Sequence, residues 1–172
     1  MAAGRGDEAA AAAFVRASQA DVWRLLAHLA GRAVADDLTQ ETYLRAFGAL
    51  RRFRGESSAR TWLLSIARRT AADHLRSRAR RPQVVGDAGE TPPDKTAEPD
   101  PAGGVAIRML VQSLEPERRD AFVLTQVLGL SYEEAAQVCG CPVGTIRSRV
   151  ARARHDLVAA LRDGGMRDAA ST

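Results

Sequence analysis

The chain has 172 residues, 45% of them apolar but only 5% aromatic, and a net charge of +4. That is enough for one ordinary domain or two small ones, and no apolar run approaches the length of a membrane span. Alanine-rich, leucine-containing segments without alternating β-branched residues predict an all-α protein. No secretory signal pattern opens the chain, and its two cysteines, Cys139 and Cys141, are too close in sequence to favour a structural disulfide. A reduced, cytoplasmic protein with no membrane association is expected.

Of the 25 basic residues 24 are arginine, and their distribution is uneven. Residues 51–81 hold ten Arg against Glu56 and Asp73, a net charge of +8. Residues 82–104 hold Lys95 against five acids, and residues 143–155 carry +4 with no acid. Two basic stretches with an acidic one between them predict a polyanion touched at two places.

In chain order, a first helix is expected from about Ala9 to Ala30, with Val15, Val22, Leu26 and Leu29 at helical spacing and Gly31 closing it. Asp36 and Asp37 open a second helix, ADDLTQETYLRAFGAL. A helical wheel puts Tyr43, Phe47 and Leu50 on one face, flanked by Leu44 and Ala46, and Leu38, Glu41 and Arg45 on the other. A solvated charged face explains Glu41 and Arg45. An exposed Leu38 fits a partner surface with an apolar centre equally well.

RRFRGESSAR then breaks the helices at Gly55, and TWLLSIARRTAADHLRSRARR resumes with Leu63, Ile66, Ala67 and Ala71 as its buried face. The other side carries Ser65, Arg69, Ala72 and Arg76, with Trp62 at the edge. Small residues beside arginines one or two turns apart let a phosphate backbone lie close. Pro82 to Gly104 holds five Pro and four Gly and keeps no periodicity, which predicts a flexible acidic linker between two small helical domains. Their expected bounds are 9–81 and 105–163.

The second domain opens with an apolar stripe of Ile107, Leu110, Val111 and Leu114. Pro116 suits the first turn of the next helix, which runs through Phe122, Leu124 and Leu128 to Gly129. Ser131 and Glu134 match a capping box for a short helix ending near Gly140, with CPVG as the turn. Val143, Ile146, Val150, Ala153 and Leu157 mark the buried face of the last helix. Its outward face then carries Gly144, Ser148, Ala151, Arg152 and His155, with Arg147 at the border. A helix-turn-helix enters the major groove by this end of its second helix, where Arg reads guanine bidentately and Ser donates or accepts. Arg149 and Arg154 lie more laterally and suit phosphates. Cys139 and Cys141 lack the further ligands a zinc site needs. No phosphate loop or nucleophile constellation is present either, so no metal, cofactor or catalysis is expected.

Three motifs in this order resemble the extracytoplasmic-function sigma factors, the small promoter-recognition subunits of bacterial RNA polymerase. DDLTQETYLRAF resembles the family's polymerase-binding region 2.2, and FRGESSARTWLLSIARRTAADHLR its promoter-melting regions 2.3 and 2.4. LSYEEAAQVCGCPVGTIRSRVARAR resembles region 4, and the Arg- and Ala-rich usage resembles actinobacterial members. The resemblance implies that Asp36, Asp37, Leu38, Gln40, Glu41 and Arg45 dock on the β′ clamp helices of core polymerase. Arg54, Gly55, Glu56, Ser57 and Ser58 correspond to the loop that captures an unstacked base of the −10 element. Trp62, Arg68, Arg69 and Arg76 would grip the opened strand. Arg147, Ser148, Arg149 and Arg152 would read or flank the −35 element.

The β flap, promoter DNA and an anti-sigma factor are the further partners so implied. Many relatives carry Asn at the position of Arg69, and some a larger side chain at Ala151, so base preferences are expected to differ there. The alternative is a stand-alone helix-turn-helix regulator, in which the basic 51–81 stretch would have no role.

Overall fold

A computed structural model describes residues 8–80 and 102–169, with side chains placed for 8–80 and 106–162. Most of the expected linker, residues 82–101, lies outside the described residues; Ala102 to Gly104 already belong to a helix. The chain divides into two compact units, Met1–Ala97 and Glu98–Thr172. Both are built of helices, with no strand among the described residues.

The first unit packs three helices against one another: α1 (Glu8–Ala30), α2 (Ala35–Ala49) and α3 (Ala59–Arg80). Val22, Leu25, Leu26 and Leu29 of α1 are buried, and so are Leu63, Leu64, Ile66, Ala67 and Ala71 of α3. Gly31, at φ +100°, turns the chain between α1 and α2, a conformation glycine adopts at least cost. Trp23 braces this corner. Its indole Nε1 donates to Asp36 at 2.9 Å, and the Arg32 guanidinium lies 5.3 Å from its ring centroid.

The buried stripe of α2 departs from expectation. It consists of Ala35, Leu38, Thr39, Thr42, Tyr43 and Ala46. Leu38 is only 8% exposed and is therefore a core residue, whereas Leu44 is 70% exposed and Phe47 38%. Threonine enters this core because its hydroxyl is satisfied inside the helix: Thr39 donates to the Ala35 carbonyl and Thr42 to that of Leu38, both at 2.7 Å. Tyr43 is buried with its hydroxyl 2.7 Å from that of Ser18, which joins α2 to α1.

The second unit contains α4 (Ala102–Ser113), α5 (Pro116–Phe122), α6 (Tyr132–Cys139) and α7 (Val143–Ala169). Val111 and Leu114 are buried as expected, but Ile107 is 62% exposed and drops out of the apolar stripe. The Glu115 carboxylate caps α5 by accepting from the Glu117 and Arg118 amides, and Pro116 occupies the first turn. One π-helical turn, Val123–Val127, extends α5, and Gly129 follows at φ +69°.

Both halves of the capping box are formed on α6. Ser131 Oγ accepts from the Glu134 amide at 3.1 Å, and the Glu134 carboxylate accepts from the Ser131 amide at 2.9 Å. Ser131→Ala is expected to cost about 1 kcal/mol of stability, read as a lower thermal midpoint for this unit; an unchanged midpoint would show that the cap contributes nothing. Gly140, at φ +65°, ends the helix, and the Cys141 amide closes back on the Ala136 carbonyl at 3.1 Å.

Two ion pairs join α5 to α7. Arg118 Nη1 donates to Asp156 at 2.6 Å, and Arg149 Nη2 pairs with Glu117. The Arg118 bond, more than any other interaction, holds the Asp156 carboxyl below its ordinary value of 3.8. A lowered folded-state pKa adds stability that is complete above the unfolded-state value and lost as pH falls through the folded one. Urea midpoints of the native chain should therefore drop further between neutral pH and the acid range than those of Asp156→Asn. Equal drops would show that the pair carries no linkage.

Candidate nucleic-acid and partner surfaces

Four surfaces follow from these elements. On α2, Asp37, Gln40 and Leu44 are exposed, Glu41 is half-buried and Phe47 borders them. With Leu38 buried, the apolar centre of this strip is Leu44, one turn from Gln40 and Glu41. Asp36 is exposed but engaged by Trp23. Arg45 turns across to α3, donating through Nε to Glu41 at 2.7 Å and through Nη1 to Asp73 at 2.8 Å.

The segment Phe53 to Ser58 between α2 and α3 is pinned at both ends. Phe53 packs on Trp62 with ring centroids 4.9 Å apart, and Ser58 Oγ accepts from the Thr61 amide at 3.0 Å as the cap of α3. Arg54, Gly55 and Glu56 are exposed between these posts, and Ser57 is half-buried. Gly55, at φ +75°, makes the bend.

The outward side of α3 carries Trp62, Ser65, Arg69, Ala72, Asp73 and Arg76, with Arg68 half-buried. Arg69 lies back along its helix, donating to the Ser65 carbonyl and hydroxyl, each at 3.0 Å. A cavity of about 350 Å³ opens beside it, walled by Arg52, Trp62, Arg69, Arg45 and Asp73. Asp73 accepts from Arg45 and also from Arg76 Nη2 at 2.5 Å. These bonds, that of Arg45 foremost, hold the Asp73 carboxyl below its usual range.

On α7, Ile146, Val150 and Ala153 are buried, while Gly144, Arg147, Ser148, Ala151, Arg152 and His155 are exposed. The expected division of faces is observed at each of these positions. Arg147 and Arg152 extend with no partner among the described residues. Ser148 donates to the Thr145 carbonyl at 2.9 Å and keeps its acceptor lone pairs. Arg149, expected to meet phosphate, is engaged within the protein. Its guanidinium pairs with Glu117 and lies 3.6 Å from Cys141 Sγ, so it ties α7 to α5 and to the turn. Arg154 donates to Gln126 at 2.8 Å.

Two family models match, one for each unit. Sigma-70 region 2 covers residues 14–81, and Sigma-70 region 4 covers residues 104–157. The chain is 51% identical over 164 residues to a probable RNA polymerase sigma-C factor of Mycobacterium bovis, covering 92% of this chain and 87% of the relative. The ECF RNA polymerase sigma factor SigC of Mycobacterium tuberculosis matches equally. The chain belongs to the extracytoplasmic-function sigma factors.

Its fold agrees. The sigma factor RpoE of Bartonella quintana, solved with the anti-sigma factor NepR, superposes with a TM-score of 0.70 at 28% identity, covering 86% of this chain and 94% of that one. With mycobacterial relatives at 51% identity, the sigma factor is of actinobacterial type. Such factors bind core RNA polymerase and promoter DNA and direct transcription initiation; they are initiation factors, not enzymes. A stand-alone regulator gains no support, because Sigma-70 region 2 matches residues 14–81 of the first unit. Among the described residues no helix is long and apolar enough to cross a membrane.

Two surface residues were missed from sequence. Leu44 was hidden because Thr39 and Thr42 were not counted toward the buried stripe. Asp73 could have been noticed as the sole acid in α3, which holds six arginines.

Proposed function

We propose that this sigma factor, working in the cytoplasm and performing no chemistry of its own, uses the four surfaces in a division of labour. The α2 strip of Asp37, Gln40, Glu41 and Leu44 docks on the β′ clamp helices of core polymerase. The loop from Arg54 to Ser58 receives an unstacked −10 base, and Trp62, Arg68, Arg69 and Arg76 of α3 hold the opened strand. Unstacking costs a few kcal/mol, offset by contacts in the loop and by the binding of polymerase. On the second unit, Arg147, Ser148 and Arg152 enter the major groove at the −35 element. The exposed apolar residues Ile107, Met109, Val158 and Leu161 offer this unit a surface for the β flap.

The observation that carries this reading is the pair of separate basic surfaces on one chain, one beside a tethered loop and the other at the start of a helix-turn-helix recognition helix. An anti-sigma partner is part of the proposal, since the similar RpoE was solved bound to one. Transcription in vitro with purified core polymerase on a library of genomic fragments tests it. Transcripts should start downstream of a shared two-part element, and only when the chain is added. Initiation independent of the chain, or from fragments with no shared element, would overturn the assignment.

A further inference from the structure

The one acid of α3 stands in the middle of the surface that the proposed function assigns to DNA. Asp73 uses both carboxylate oxygens, and each is taken by a guanidinium from a different helix: Arg45 of α2 on Oδ2 and Arg76 of α3 on Oδ1. Asp73 is also the residue shared by two neighbouring concavities. One is the cavity beside Trp62, Arg52 and Arg69. The other, of about 530 Å³, is lined by Arg76, Ser77 and Arg80. Exposed ion pairs of this kind add little to folding. What Asp73 does change is the charge on offer: it neutralises two of the arginines best placed for a polyanion.

A carboxylate and a phosphodiester present the same thing to a guanidinium, two oxygens sharing one negative charge. We propose that Asp73 is an internal stand-in for a backbone phosphate, occupying Arg45 and Arg76 until a DNA strand displaces it. Any strand must pay for that displacement. A strand with the right bases regains the cost through base contacts, whereas one of arbitrary sequence has only phosphates to offer. Asp73 thereby suppresses non-specific binding more than specific binding, which makes it a specificity-determining residue that reads no base. Arg45 becomes a shared residue, anchored on the α2 strip through Glu41 and released toward α3 when Asp73 lets go. The inference rests on the reading of α3 as a strand-binding face.

The test uses the full chain, a fluorescein-labelled single-stranded oligonucleotide of mixed sequence, and anisotropy titrations across a salt series. Asp73→Asn is nearly isosteric, and circular dichroism checks that it stays helical. It should bind about five-fold tighter at low salt, with a salt slope steeper by about 0.7 for each arginine set free, so by up to about 1.4. Adding Arg45→Ala to Asp73→Asn should remove about half of that increase in slope. Affinity and slope equal to those of the native chain would overturn the stand-in. Failure of the underlying reading looks different: Arg69→Ala with Arg76→Ala would then bind the oligonucleotide as tightly as the native chain, leaving nothing for Asp73 to guard.

Discussion

Leu44→Asp is expected to weaken binding to core RNA polymerase by roughly 30-fold to 1,000-fold while the chain stays folded. The side chain is 70% exposed at the centre of the α2 strip, so the fold should tolerate its replacement. Burying a leucine at an interface contributes about 2 kcal/mol, and a carboxylate forced into the same place adds a desolvation penalty. A central apolar residue with a polar rim is where interface energy concentrates, and losses of about 2–4 kcal/mol are ordinary there. Capture of core polymerase on the immobilised chain measures the loss, with circular dichroism as the control. Native-level capture would show that α2 is not the docking face. The same substitution at Leu38 would be uninformative. Leu38 is 8% exposed, and a carboxylate there would cost several kcal/mol of a stability that is itself only about 5–15, so binding and fold would be lost together.

The second large effect is expected at the recognition helix. Arg152→Ala and Arg147→Ala should each cost about 1–3 kcal/mol at one base position of the −35 element, by removing a bidentate contact. Both guanidinium groups extend from the exposed face of α7 and hold it to nothing else among the described residues, so the fold should be indifferent to their loss. Competition binding or transcription over a library randomised at the −35 element separates two outcomes. A base-reading arginine, once removed, relaxes preference at one position; a phosphate-contacting arginine weakens all sequences alike. Profiles unchanged by both substitutions would remove these residues from base recognition. Arg149→Ala should behave differently from either. Its partner Glu117 lies on α5, so its loss should lower stability and affect all promoters together.

Much of this architecture was legible in the sequence because its signals are local. Capping at Ser131, the left-handed glycine at Gly140 and the four-and-three spacing from Ile146 to Ala153 are each set by neighbouring residues, and the structure shows all of them. The face of α2 was misread for an equally local reason. Counting only apolar side chains makes Tyr43, Phe47 and Leu50 the buried set. Thr39 and Thr42 return their hydroxyls to the preceding turn and behave as small core residues, which rotates the true stripe to include Leu38 and frees Leu44. Thr70 and Thr125 are buried with the same internal bond. The pairs Arg149–Glu117 and Asp73–Arg45 were not legible, because their members lie 32 and 28 residues apart in the chain. Spacing along one helix carries no information about such pairs.

The tethered loop before α3 has a further consequence. Phe53 is seated on Trp62 and Ser58 is spent on the helix cap, so only the four positions from Arg54 to Ser57 remain to adjust. Closing a short span whose ends already stand in place requires little loss of chain entropy. In the proposed role, a base arriving there would meet a receptacle with most of its ordering already done, and more of the contact energy would be left to distinguish one base from another. Shortening or loosening either post would act as a tax on every promoter, levied before any base is read.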